Sequence, residues 1–261
     1  MIDVQSQSDD RHIDIQKVGV KDISYPVKIL DRSHEVQHTI AKINMYVDLP
    51  HLFKGTHMSR FVEVLNMYHG GISPKNFLDM LDDLREALSA QSAHVDLTFP
   101  YFIEKKAPVS GAKSLMEYRC SYIGSVNGDK REFTVGIEVP ISTLCPCSKE
   151  ISDRGAHNQR GIVTVKLKFK KFFWIEDVIS IIEDSASSDV YALLKREDEK
   201  EITERAYDNP MFVEDVVREV AIRLSDDDNF TWFSVEVENH ESIHNHSAYA
   251  FVEKDGKTEK V

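Results

Sequence analysis

Phe133–Phe169 reads FTVGIEVPISTLCPCSKEISDRGAHNQRGIVTVKLKF. At its start Phe133, Val135, Ile137 and Val139 recur at every second position, and at its end Val163, Val165, Leu167 and Phe169 do the same. A period of two marks a strand with one buried face. Two strands therefore lead into and out of a polar loop. That loop carries Cys145, Cys147 and His157, with Lys149, Arg154 and Arg160 around them. A thiolate and an imidazole this close suit a divalent transition metal, zinc first. The neighbouring cations suit a polyanion such as a nucleotide. A Cys-x-Cys pair is also compatible with a structural metal site or with inert buried thiols.

The same periodicities extend outward. Asn127-Gly128 is a hairpin turn, preceded by strand-like Leu115–Val126 and by Val95, Leu97 and Phe99. Met58–Tyr68 places Phe61, Val62, Leu65 and Tyr68 on one helical face, closed by Gly70-Gly71. Ser73 and Pro74 read as N-cap and first position of a second helix, with Phe77, Leu78, Leu81, Leu84 and Leu88 as its buried stripe. Tyr25–Leu30 and Gln37–Val47 read as strands around an Asp31–Ser33 turn. Beyond the loop, helical spacing covers Ile175–Leu194, broken at Ser185–Ser188, and Phe212–Leu224; Phe230–Val237 and Ala248–Val252 close as strands. Each half thus reads strand–strand–helix–helix–strand–strand. The fold class is α+β: antiparallel sheets with helices on one face. The division is a poorly ordered tail over 1–22, a first module over 23–128 and a second over 129–261. Long strand edges need covering, which self-association provides.

Composition narrows the function. The chain has 261 residues and a formal net charge of -12, against the basic face of a general nucleic-acid binder. No apolar run approaches the roughly 20 residues of a membrane span. The polar start MIDVQSQSDDRHID lacks a signal-peptide core, so a cytoplasmic protein is expected. Three cysteines, Cys120, Cys145 and Cys147, argue for metal or catalytic chemistry over a disulfide framework.

Three further stretches carry chemistry. Lys195–Asp215 is crowded with acids: Glu197, Asp198, Glu199, Glu201, Glu204, Asp208, Glu214 and Asp215. Most suit a solvated face. Asn209-Pro210 marks a helix start and puts Glu214 near its first turn. Asn239–His246, NHESIHNH, sets His240, His244 and His246 beside Glu241 between two late strands. Histidines titrating near neutrality suit proton transfer. Gly55–Phe61, GTHMSRF, precedes a helix whose N-terminus, with His57 and Arg60, can receive phosphate.

Together these stretches resemble the type IB GTP cyclohydrolases, a metal-dependent family with the tunnelling fold. The matching elements are Gly55–Phe61, Cys145–Lys149 with Ala156–Arg160, Asp198–Lys200, Thr203–Asp215 and Glu241–His246. The resemblance covers nearly the whole chain after its tail. It implies hydrolysis of GTP at C8, release of formate and closure to 7,8-dihydroneopterin triphosphate, for folate and 7-deazaguanine synthesis. It implies Cys145, His157 and Glu199 as ligands of Zn²⁺, with Mn²⁺ or Fe²⁺ as permitted alternatives. It further implies Glu241, His244 and His246 in proton handling and Glu214 on the guanine edge. Lys149, Arg160, Arg60 and His57 serve the triphosphate, Cys147 lies beside the ligands, and the assembly is a homotetramer with sites between subunits.

Competing readings differ in chemistry. A nitrile reductase of the same fold acting on 7-cyano-7-deazaguanine would use a cysteine nucleophile and NADPH, but its lysine-rich NADPH motif is missing here. An archaeal-type cyclohydrolase would use iron and release a cyclic phosphate. A non-catalytic metal-stabilised module would unfold when its metal is removed.

Overall fold

The computed structural model describes residue 5 and residues 7–255. In chain order the elements are β1 (Ile15–Asp31), β2 (Glu35–Leu49), α1 (Met58–Met67), α2 (Phe77–Ala87), β3 (Ser92–Lys106), β4 (Lys113–Asn127) and β5 (Lys130–Leu144). There follow α3 (Pro146–Ile151), β6 (Asn158–Phe169), α4 (Ile175–Glu183), β7 (Ser188–Asp189), α5 (Arg196–Asp208), α6 (Val213–Ser225), β8 (Phe230–His240) and β9 (Ser247–Asp255). Hydrogen-bonded neighbours run β1-β2-β3-β4-β5-β6-β8-β9, with the short β7 on β5. The doubled strand–strand–helix–helix–strand–strand order is present. In the second half α3, β7 and α5 are inserted into it.

Two compact units are present: residues up to Pro100 with Cys120–Val135, and Tyr101–Arg119 with Gly136 onward. Strands β3, β4 and β5 each contribute to both, so the division runs through strands and not at residue 128. In the first unit β2 and β3 pair with Ile43 opposite Leu97 and Met45 opposite Val95, all fully buried. Phe77, Phe99, Tyr122 and Phe133 cluster with ring centroids 5.1–5.9 Å apart. In the second unit Val178, Ile179 and Ile182 of α4 and Val216, Val220 and Leu224 of α6 are buried at helical spacing. The strands of that unit bury Val163, Val165 and Leu167 of β6 and Phe233, Val235 and Val237 of β8.

Some boundaries differ from the sequence reading. Ile15–Asp22, placed in the tail, is the start of β1, where Ile15 pairs with Leu49 and Val18 with Val47. Register shifts between Ile15 and Val18 and between Val20 and Ile23 break the alternation that would have announced this strand. Helix α2 begins at Phe77, after Pro74. Asn76 closes the intervening turn by accepting from the Ser73 N–H (2.7 Å) and donating to the Gly71 carbonyl (2.9 Å). Its buried stripe is Phe77, Met80, Leu81 and Leu84. The polar segment read as an acidic face is helix α5, whose only buried residues are Asp198 and Ala206.

Gly124 on β4 lets α2 pack close: a Cβ there would lie 2.6 Å from Phe77 Cε1 and 2.8 Å from Leu81 Cδ1. Overpacking a dense core costs about 1–3 kcal/mol. Gly124→Ala should therefore lower the unfolding free energy from urea titration by that amount without altering the far-UV spectrum; an unchanged urea midpoint would contradict this packing.

Candidate active site

Leu144 ends β5, and Cys145 takes extended backbone angles (φ -68°, ψ 117°) as N-cap of α3, with Pro146 in the first turn. Its Sγ accepts from the Ser148 N–H at 3.5 Å. The Cys145 N–H donates to the His157 carbonyl (3.1 Å), and the Ser148 hydroxyl accepts from the His157 N–H (3.2 Å) while donating to the Cys145 carbonyl (3.1 Å). Residues 146–156 thus form a closed loop with Cys145 and His157 clasped at its neck. His157 Nδ1 pairs with Ser242 Oγ at 3.0 Å, which leaves Nε2 for another partner. Cys145 is half-buried and Cys147 exposed.

The donor chemistry of this neck fits a divalent metal. The Cys145 sulfur and the His157 imidazole are donor types that zinc and its neighbours in the first row accept. A ligating imidazole has its other nitrogen held by an oriented partner, as Ser242 holds Nδ1. Among the described residues no three His, Cys, Asp or Glu side chains stand close enough to hold a metal. Glu199, exposed on α5, therefore does not complete a set with Cys145 and His157 here.

Helix α5 is set by polar contacts. Asp198 is fully buried and accepts from the Val109 N–H (2.9 Å), the Ser110 N–H (2.8 Å), the Ser110 hydroxyl (2.6 Å) and the Lys195 N–H (2.8 Å). Burial alone would raise its pKa. The Ser110 hydroxyl and the backbone donors outweigh that, so it lies well below the usual carboxylate range. Farther along α5, Arg205 lies 3.7 Å from Asp189. Asp189 shares the ammonium of Lys105 (3.0 Å) with Glu183 (2.8 Å), and Tyr118 also donates to Glu183 (2.8 Å). Burial pushes Glu183 up despite Lys105. Partial burial acts the same way on Asp189, but Lys105 and the Tyr191 hydroxyl hold it down. The exposed face of α5 presents Arg196, Glu199, Lys200, Thr203 and Glu204. Below it, Thr203, Glu204, Tyr207 and Asp208 border a cavity of about 390 Å³ whose other wall is Leu144, Gly155, Ala156 and Asn158, the residues flanking the clasp. Glu199 sits one turn ahead of Thr203, whose hydroxyl donates to the Glu199 carbonyl (2.7 Å).

Glu241 is half-buried at the end of β8. His244 and His246 are exposed on the β8–β9 connection and stacked, with centroids 5.1 Å apart. Glu214 lies exposed in the first turn of α6. Arg160 is exposed on β6, opposite His240. Two expected phosphate cations are already engaged. Lys149 donates to the Tyr207 carbonyl at the end of α5 and lies 4.3 Å over the Tyr207 ring. Arg60 donates to the Ala87 carbonyl (2.8 Å). Arg60 and His57, the N-cap of α1, belong to the first unit; every other site residue belongs to the second.

The sequence reading gave no role to Gln159, Asn239 or Thr143. All three are buried polar residues on strands that otherwise bury apolar side chains. In the orientation its neighbours impose, Gln159 donates through Nε2 to both Glu241 oxygens (3.1 and 3.1 Å) and accepts at Oε1 from Asn239 Nδ2 (3.0 Å). Asn239 Nδ2 also donates to Thr143 Oγ1 at 2.9 Å. A polar residue interrupting the apolar row of a strand is the signal that could have found them.

The family model for type I GTP cyclohydrolase FolE2 matches residues 1–250. The GTP cyclohydrolase FolE2 of Syntrophus aciditrophicus is 62% identical over 255 residues, 98% of this chain and 100% of the relative. That of Geotalea uraniireducens is 60% identical over 261 residues, 100% of this chain and 96% of the relative. Among solved structures, a uricase from Bacillus fastidious aligns with a TM-score of 0.60 at 9% identity, covering 92% of this chain and 93% of that one. Uricase from Arthrobacter globiformis aligns at 0.53 and 9% identity, covering 94% of each chain. That likeness is one of fold alone, and it is the tunnelling fold.

Because Asp198 titrates below its unfolded value, its stabilisation is present above the ordinary carboxylate pKa of about 4 and is lost as pH falls through the depressed folded value. Asp198→Asn should lower the urea midpoint at pH 7, and the gap to the parent should narrow below about pH 4. A gap independent of pH would contradict the charge-assisted account.

Proposed function

The chain belongs to the type I GTP cyclohydrolase FolE2 family, and from that premise we propose how its residues convert GTP to formate and 7,8-dihydroneopterin triphosphate. The observation that carries the reading is the clasp, which holds Cys145 and His157 together through their backbones beside a cavity lined by their chain neighbours Leu144, Ala156 and Asn158. Cys145, His157 and Glu199 would hold a divalent metal, Zn²⁺ or in its place Mn²⁺ or Fe²⁺. Such an ion supplies Lewis acidity and a water acidic enough to lose its proton near neutral pH. Glu199 would complete the set from α5, whose outer face continues into the cavity wall.

The chain's own groups do the rest. Ser242 fixes the orientation of the His157 ring. His244 and His246, exposed and next to one another, accept and return protons as the imidazole ring of the purine opens. Glu241, an acceptor held by Gln159, orients a water or one of these histidines. Glu214 accepts from N1–H and the 2-amino group of guanine, a donor pair that adenine lacks. Arg160, Lys149, Arg60 and His57 receive the triphosphate. Cys147, exposed on α3, stays outside the ligand set.

The working assembly is a homotetramer whose sites lie between subunits. Support comes from β9, a strand at the end of the pairing order that exposes Tyr249 (58%) and Phe251 (51%). Among the described residues no helix is long and apolar enough to cross a membrane. The setting we propose is cytoplasmic, with the product feeding folate and 7-deazaguanine synthesis.

Purified protein given GTP and Zn²⁺ or Mn²⁺ should release formate and a pterin triphosphate, and a chelator should stop both. A cyclic phosphate product would move the chain to the archaeal-type reaction. Cys145→Ala should cut metal content and lower turnover by two or more orders of magnitude, roughly the least expected for losing a ligand, while the far-UV spectrum persists. Full metal content in a folded variant would remove Cys145 from the ligand set. Glu214→Gln should raise KM for GTP about 10- to 100-fold, the scale of a hydrogen bond to a charged group, with metal content unchanged. An unaltered KM would take Glu214 off the guanine edge.

A further inference from the structure

We propose that Gln159 is a positioning residue for the reaction: it orients Glu241 and fixes it as a hydrogen-bond acceptor. This rests on the assignment of Glu241 to the site. Three neighbouring strands, β5, β6 and β8, each bury a polar residue near the ends that bear the site: Thr143, Gln159 and Asn239. Asn239 has no exposed surface, and its Nδ2 has two acceptors, Thr143 Oγ1 at 2.9 Å and Gln159 Oε1 at 3.0 Å. The room for this side chain comes from Gly161, which pairs with Asn239 across the ladder. A Cβ on residue 161 would lie 2.1 Å from Asn239 Oδ1.

An amide has one accepting and one donating end, so its first bond decides the second. With its oxygen on Asn239, Gln159 must turn its NH₂ outward, and there it meets both Glu241 oxygens at 3.1 Å. The reversed orientation would set the Gln159 oxygen against two carboxylate oxygens and its NH₂ against the NH₂ of Asn239. The chain therefore points one way, from buried strands to the site, and its last donor requires an acceptor, which Glu241 supplies. Asn239 carries the cost, since its Oδ1 has no hydrogen-bond partner among the described residues. A half-buried acid just past a strand end is thereby held by a donor that meets both of its oxygens, whose remaining lone pairs are left to accept from the reactants.

The test is a double-mutant cycle on metal-loaded enzyme, measuring kcat, KM for GTP, metal content and Tm for Gln159→Met, Gln159→Glu, Glu241→Gln and the double variant Gln159→Met/Glu241→Gln. Gln159→Met keeps the volume but cannot donate, and should lower kcat/KM about tenfold or more. Gln159→Glu, nearly isosteric and bearing a like charge, should lower it further. It also carries the test if the methionine variant does not fold. In the Glu241→Gln background Gln159→Met should change kcat/KM by less than about twofold, because its effect runs through the carboxylate. Equal losses in both backgrounds, or parental kcat/KM in Gln159→Met and Gln159→Glu while Glu241→Gln is impaired, would overturn the proposal and leave the Glu241 assignment standing. Parental activity in Glu241→Gln would overturn that assignment and the proposal with it.

Discussion

The hydrogen bond from the Cys145 N–H to the His157 carbonyl is the constraint on which the site depends. Eleven residues of loop separate these two positions, and closing such a loop is entropically opposed. Here β5 and β6 bring the loop's ends close, and Ser148 adds a second strap by bonding both ends at once. Cys145 and His157 are thereby held together through their own backbone groups. That is the preorganisation a metal centre or an electrostatic catalyst needs.

Around the clasp the molecule uses buried polar groups where a simpler fold would place apolar ones. Helix α5 has almost no apolar face, so Asp198 and Arg205 hold it through hydrogen bonds and charge. Such contacts are directional. They fix the rotation of a helix about its axis more tightly than a greasy stripe would, and rotation decides where Glu199, Thr203 and Glu204 point. Thr143, Asn239 and Gln159 do the same for Glu241, with a direction of donation running from buried strands to solvent. Both supports are intolerant of partial loss, because a buried polar group without its partner costs more than the bond it made.

Much of this was legible in the sequence. Alternation gave the strands flanking the Cys145 loop, and Asn209-Pro210 put Glu214 in the first turn of α6. The doubled module order also held. Where the reading failed, a local rule yielded to tertiary contact. Ser73-Pro74 looks like a helix start, but the Asn76 side chain closes a turn first. Met80 is buried in place of Leu78, since the face of α2 is set by its contact with β4 and not by the count of leucines. Helix α5 escaped because its stability lies in Asp198 and Arg205, which look in sequence like any surface charge. The contacts of Lys149 and Arg60, both expected at the triphosphate, were not legible either, because each donates to a backbone carbonyl that lies far from it in sequence.

Cys145, His157 and Glu199 are proposed to hold the metal together. X-ray absorption at the zinc edge of the Zn²⁺-loaded protein tests it most directly. We predict a shell of one sulfur near 2.3 Å with nitrogen and oxygen scatterers at about 2.0–2.2 Å. A shell with no sulfur would remove Cys145, and a shell with two would bring in Cys147; either would contradict the account.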